Sequence, residues 1–115
     1  MDQKVNAVTA EVLMHHLQTL GQGLLDDVML DYTDSSVLMS PDQTFYGQAQ
    51  IRGFFLGALA AFPPEMLSAI TILRQDIYED VAYIVWKAEP FVKQGTDTFV
   101  IRDGKILAQT FLMTF

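Results

Sequence analysis

His16 is one of two side chains in this sequence whose type and position suit acid–base chemistry. It lies on the apolar stripe of a predicted helix, whereas His15 turns about 100° away toward solvent. One interpretation is a core histidine whose hydrogen bonds are satisfied within the protein. The other is a functional group that faces a cavity, and the sequence leaves both open. The stripe consists of Val8, Val12, Leu13, His16, Leu17 and Leu20.

Asp97 is the second such side chain. In a predicted strand over residues 96–102 it shares a face with Phe99 and Ile101, because side chains alternate along a strand. A carboxyl group on an apolar face must be paired, lie beside water in a cavity, or be protonated. The alternative is that Asp97 lies in water at the start of the strand, next to Gly95. The alternation favours the cavity, where Asp97 and His16 would be the catalytic pair.

Other kinds of site find little support in the sequence. The chain has no cysteine, which excludes thiol catalysis, disulfides and iron–sulfur clusters. Glu11 and His15 offer only two metal ligands on one helix face, so we predict no metal site. Phosphate-binding glycine loops, nucleophile elbows and dinucleotide fingerprints are absent from the sequence, so we predict no cofactor.

Net charge and hydropathy limit the kinds of partner that this protein can bind. Fourteen acidic against seven basic residues give a net charge of -7, which lacks the basic footprint that nucleic-acid binding needs. No apolar run approaches about 18 residues, and the first residues do not form a secretory signal. We therefore expect a cytoplasmic protein without a nucleic-acid or membrane partner.

His16 and Asp97 must be positioned by helices and strands, and the spacing of apolar residues that predicts these elements changes along the chain. Apolar residues recur at helical spacing over residues 8–20, 24–30 and 47–62, after which Pro63 and Pro64 end the third helix. Strand patterns follow over residues 67–78, 81–89, 96–102 and 105–115, and a short strand covers residues 37–40. At 115 residues we predict a single domain over 1–115, of the α+β class, with the helices covering one face of a mainly antiparallel sheet.

The order of these elements resembles a known superfamily. The segments that carry the resemblance are residues 30–34 (Leu-Asp-Tyr-Thr-Asp), 47–55 after the short strand, and 99–106 around Asp103-Gly104. This set is similar to the nuclear transport factor 2-like superfamily, in its SnoaL-like and ketosteroid isomerase-like branch. The resemblance implies a cone, a cystatin-like α+β barrel in which a curved sheet wraps three helices of the N-terminal half. It also implies a cavity at the open end and a homodimer through the sheet.

The same resemblance assigns roles to single residues. It places Asp97 where the ketosteroid isomerases have a protonated acid that donates to an oxyanion, and His16 where they have the tyrosine partner of that acid. It places Ser40, just before Pro41, where they have the aspartate that shuttles the proton. Because a serine hydroxyl has no useful basicity near neutral pH without a neighbouring base, steroid isomerisation is not expected.

The resulting hypothesis is a protein that binds a small apolar molecule, with His16 and Asp97 as polar anchors. It could act as a cofactor-independent isomerase, cyclase or dehydratase by proton transfer, as a lone-acid cyclase would. The alternative is a non-catalytic ligand-binding or protein-interaction module of the same fold. Tyr32 is by default a core aromatic. The predicted ligand-binding residues are Ser40, Tyr32, Phe55, Trp86, Phe99 and Phe111.

Overall fold

The computed structural model describes residues 3–115, in which four helices and six strands form. The helices are α1 (Gln3–Gly21), α2 (Leu25–Met29), α3 (Gly47–Ala61) and α4 (Pro64–Ala69). The strands are β1 (Val37–Met39), β2 (Thr44–Tyr46), β3 (Thr71–Tyr78), β4 (Val81–Ala88), β5 (Val92–Arg102) and β6 (Lys105–Thr114). The α+β class and the three helices of the N-terminal half are therefore confirmed.

The segment after α3 corrects the sequence analysis, which began a strand at residue 67. Pro64 stands in the first turn of α4, where a missing N–H costs nothing and the fixed φ of proline suits a helix. Glu65 follows in the same turn, where a carboxylate complements the helix dipole. The helix continues to Ala69, so the strand begins only at Thr71.

The sheet has the order β2-β1-β6-β5-β4-β3. Within residues 3–115 only the β1–β6 pair is parallel, and all other pairs are antiparallel. Between β1 and β6 the chain passes through β2, α3, α4 and the strands β3 to β5. Asp103 and Gly104 both have positive φ (54° and 73°), as a two-residue hairpin turn requires. The strand β2 was not predicted.

Curvature of the sheet creates the concave face on which the helices pack. Register shifts occur between Ile72 and Arg74, between Trp86 and Ala88, and between Val100 and Ile101. Such bulges bend a strand and increase its twist. The sheet is curved but does not close, so the predicted barrel is an open one.

The main core lies between α1, α3 and this concave face. Its most buried members include Leu13, Ile51 and Phe99, each at most 1% exposed. None of the helices within residues 3–115 combines the length and the hydrophobicity needed to cross a bilayer.

Candidate functional site

A cavity of about 300 Å³ lies between the helices and the concave face of the sheet. The helices α1, α3 and α4 form one side of it and the strands β3 to β6 form the other. Its lining is mostly leucine, phenylalanine, methionine and proline, and His16, Asp97 and Gln109 bring polar atoms to the wall. The volume is at the low end of the range of small-molecule sites, about 300–1,000 Å³.

Asp97 is placed on this wall by the alternation of β5. Its neighbours across the strands are Ile84 on β4 and Phe111 on β6, and the residue is only 9% exposed. Each carboxylate oxygen accepts one hydrogen bond: Oδ1 from the indole Nε1 of Trp86 (2.8 Å) and Oδ2 from Nε2 of Gln109 (2.9 Å). Burial raises the pKa of Asp97 to about 6, and the two hydrogen bonds oppose this rise.

Gly95 allows Trp86 to reach Asp97. The two residues are opposite one another on β5 and β4, and the indole lies across the glycine. A Cβ atom at position 95 would stand 2.1 Å from Cε2 of Trp86, so the indole would have to move. The absence of a side chain at Gly95 therefore lets the indole fold over β5 and aim its N–H at Asp97.

Gln109 is a residue of the site that the sequence analysis missed. It is 2% exposed on β6, and its Oε1 accepts a hydrogen bond of 2.5 Å from the Tyr32 hydroxyl. Burial raises the pKa of Tyr32 well above its ordinary value, and the charges of Asp97 and Asp31 add to this rise. A signal was present in the sequence, because Gln109 and Phe111 are two positions apart and share one face of β6, where a polar residue is unusual among apolar neighbours.

His16 faces the same cavity, but burial lowers its pKa, whereas burial raises that of Asp97. It is 1% exposed, and burial followed by the charge of His15 lowers its pKa to about 4. Its ring packs edge-on against Phe99, Phe55 and Tyr32, with centroids 5.2, 5.9 and 6.2 Å apart. Within residues 3–115 its Nδ1 atom is buried without a hydrogen-bond partner.

The structure thus brings His16 and Asp97 to one cavity but does not join them directly. The hydrogen bonds to the Asp97 carboxylate come from Trp86 and Gln109, and none among the described residues comes from His16. His15 lies on another side of α1, where its Nδ1 is 2.7 Å from Oδ2 of Asp31.

The aromatic residues among the predicted ligand-binding residues divide into two groups. Phe55, Phe111 and Trp86 line the cavity. Tyr32 and Phe99 are 1% or less exposed and lie behind the wall, among the rings that surround His16. Within residues 3–115, no group of three or more potential metal-binding side chains comes together.

Comparisons with known proteins show the fold at low sequence identity. No family model matches the sequence, and neither does any curated protein. A SnoaL-like protein from Burkholderia thailandensis superposes with a TM-score of 0.76 at 12% identity, covering 95% of this chain and 96% of that one. A nuclear transport factor 2-like protein from Burkholderia xenovorans gives 0.75 at 14% identity, with 94% and 84% covered. The chain has the nuclear transport factor 2-like fold. A candidate polyketide cyclase from Sinorhizobium meliloti shares it, with a TM-score of 0.74 at 15% identity and 89% and 94% covered.

Within this nuclear transport factor 2-like fold, Ser40 lies away from the cavity wall. It follows β1 at the turn into β2, where its hydroxyl oxygen accepts hydrogen bonds from the backbone N–H groups of Asp42 and Gln43. Its hydroxyl also donates to the carbonyl oxygen of Gln43. A serine that bonds to the backbone in this way stabilises a turn, and the structure does not bring it to Asp97.

Proposed function

We propose that this chain binds a small, mainly apolar molecule in the cavity, with Asp97 as the group that pairs with a polar atom of that molecule. One observation carries the proposal: a buried carboxyl group lies on the wall of an otherwise apolar cavity. Each carboxylate oxygen accepts a single protein hydrogen bond, so each retains a lone pair for a ligand. His16 adds support, because a buried nitrogen without a partner is rare in proteins and often marks a functional site.

Proton-transfer catalysis is the second candidate function, and the pKa of Asp97 near 6 favours it. A general acid or base works best when its pKa is close to the working pH. In an isomerisation, the Asp97 carboxylate would take a proton from a carbon next to a carbonyl group and return it at another carbon. The N–H groups of Trp86 and Gln109 would meanwhile hold the carboxyl group in place. Fold neighbours named as candidate polyketide cyclases and a candidate ketosteroid isomerase support this class of chemistry.

A panel of one- and two-ring fragments, each with one carbonyl, hydroxyl or amino group, tests the binding function. Trp86 is the only tryptophan of the chain, so its indole N–H gives a single, assigned NMR signal beside Asp97. We expect saturable shifts of that signal and a higher melting temperature with some fragments.

Two alanines of α3 provide a matched pair of variants. Ala58 lines the cavity and Ala60 is exposed on the same helix. Ala58→Phe should abolish fragment binding because the ring fills the cavity, whereas Ala60→Phe should leave it unchanged. No response to any fragment, or equal binding by the two variants, would overturn the proposal in favour of a protein-interaction module.

Deuterium exchange tests the catalytic candidate. With 2-decalone in D₂O, the wild type should exchange the protons next to the carbonyl about 10²–10⁴-fold faster than the Asp97→Asn variant, the usual range for a positioned base. Equal rates in the two proteins would exclude Asp97 as a base toward this ketone.

A further inference from the structure

Four side chains form a continuous run of hydrogen bonds from the protein interior to the cavity wall. Tyr32 donates its hydroxyl hydrogen to Gln109, Gln109 donates an amide hydrogen to Asp97, and Trp86 donates its indole hydrogen to the other oxygen of Asp97. We call these four residues the Asp97 network. Tyr32 is 1% exposed and does not line the cavity, so it influences a ligand only through the other members.

Tyr32 determines which end of the Gln109 amide faces Asp97. A glutamine side chain has a donor end and an acceptor end, and turning the amide exchanges them. Among the described residues, Gln109 Oε1 is the acceptor for the buried hydroxyl of Tyr32. With the amide turned, that hydroxyl hydrogen would lose its acceptor, which is costly for a buried donor. The phenol therefore keeps the carbonyl end toward itself and the NH₂ end toward Asp97.

Both protein groups that touch the Asp97 carboxyl are consequently donors. A hydrogen bond from a donor is stronger when the acceptor is charged, so two donors favour the carboxylate over the carboxylic acid. A protonated Asp97 would find no acceptor in Trp86 or in a fixed Gln109. This is the opposite of the donating acid that the sequence resemblance implied at this position.

Few other titratable or charged groups face this site. Within residues 3–115, His16 of α1 is the other titratable side chain on the cavity wall, and it is neutral at pH 7 because burial lowers its pKa to about 4. Tyr32 contacts the network through Gln109, and the charge of Asp31 acts on Tyr32. The elements α3, α4 and β3 contribute only apolar side chains to the lining.

We propose that Tyr32, acting through Gln109, holds Asp97 as a hydrogen-bond-accepting carboxylate, so that the cavity selects apolar molecules that carry a proton donor. A hydroxyl or ammonium group on the ligand meets the free lone pairs of Asp97, whereas a group with acceptors only meets their repulsion. Tyr32 and Gln109 are positioning residues in this arrangement. The inference about the ligand rests on the proposed binding function, whereas the inference about Asp97 does not.

The first test follows the Trp86 indole signal and fluorescence between pH 4.5 and 8.5, without any ligand. The wild type should show a transition near pH 6, the pKa of Asp97, and Asp97→Asn should abolish it. Tyr32→Phe frees the Gln109 amide to turn and accept from the protonated acid, so its transition should lie about one pH unit higher. Tyr78→Phe makes the same chemical change at a 63% exposed position and should match the wild type.

Gln109→Met gives a second route to the same answer. It removes the donor outright and keeps a side chain of similar length, so its transition should also move up by about one unit. It decides the question if Tyr32→Phe does not fold. An unchanged or lower midpoint in the folded variants would overturn the role of Tyr32 and Gln109.

The second test compares 2-decalol with 2-decalone at pH 7.5. The two molecules share a bicyclic skeleton and differ in whether the oxygen can donate. The wild type should bind the alcohol about ten-fold more tightly, as expected for a hydrogen bond to a charged group. The Asp97→Asn variant should lose most of that preference. Equal or tighter binding of the ketone by the wild type would overturn the selectivity. Binding of neither, together with no response to the fragment panel, would overturn the proposed function itself.

Discussion

Asp97→Asn should change the pH dependence of stability in a defined direction. The pKa of Asp97 rises from its ordinary 3.8 to about 6 in the folded protein, so the folded state binds more protons than the unfolded state between these values. The stability that this group contributes is present below pH 3.8 and is lost as the pH rises through 6. A shift of roughly two units corresponds to about 3 kcal/mol. Relative to the wild type, the variant should therefore gain about 3 kcal/mol of unfolding free energy between pH 4 and 7.

His16→Leu should give the opposite dependence. The pKa of His16 falls from 6.5 to about 4 in the folded protein, so its contribution to stability is present above pH 6.5 and is lost as the pH falls through 4. Leucine has a similar volume, does not titrate, and removes the unpartnered Nδ1 atom. Relative to the wild type, this variant should gain about 3 kcal/mol between pH 7 and 4.

The assay is urea unfolding followed by far-ultraviolet circular dichroism at pH 4, 5, 6 and 7, because backbone signals do not depend on Trp86. In the wild type the two contributions oppose each other between pH 4 and 6 and largely cancel. The double variant lacks both, so its profile should run parallel to that of the wild type. The difference in unfolding free energy between Asp97→Asn and the wild type should increase as the pH rises. A difference that is constant with pH, or that falls, would refute the raised pKa of the buried Asp97 carboxyl.

Two further predictions concern Gly95 and the outer face of the sheet. Gly95→Ala should displace the Trp86 indole signal and lower the unfolding free energy by about 1–3 kcal/mol, since a Cβ atom would stand 2.1 Å from the ring. Gly57→Ala is the control, because a Cβ atom there meets nothing within 4 Å, and it should leave the signal unchanged. An unshifted indole in Gly95→Ala would contradict the proposed path to Asp97. The resemblance implies a homodimer through the sheet, so sedimentation should give about twice 12.9 kDa, and Leu112→Asp on the 49% exposed outer position should give a monomer. A monomeric wild type at micromolar concentration would contradict the dimer.

The sequence predicted those helices and turns that depend on residues close together in the chain. The apolar stripe of α1 and the Asp103-Gly104 turn depend on residues within a few positions of one another, and both appear in the structure. The inward direction of His16 and Asp97 follows from the same short-range periodicity. The helix α4 escaped prediction because Ile70 to Tyr78 is rich in β-branched and aromatic residues, and this stronger pattern masked a six-residue helix.

The sequence marks Gln109 as a polar residue on an apolar strand face, but its contact and that of Trp86 with Asp97 depend on the register between strands, which the sequence does not show. Trp86 reaches Asp97 only since β4 and β5 pair with Trp86 opposite Gly95. Gln109 stands on the cavity face because the register of β5 and β6 shifts between Val100 and Ile101, which changes the alternation of β6 after Ile106. This information lies in how neighbouring strands pair, and no single strand contains it.

The two titratable groups of the cavity show an inverted order of protonation, which bears on what the site can do. In water a histidine takes up its proton before an aspartate does, and a close pair becomes an ion pair. Here the pKa of His16 is about 4 and that of Asp97 about 6, so acidification protonates the carboxyl first. The carboxyl of Asp97 is therefore mostly neutral at the pH at which His16 becomes charged, which disfavours an ion pair between the two side chains. At neutral pH a ligand therefore meets one carboxylate and one uncharged imidazole, a combination that is compatible with the proposed proton transfer.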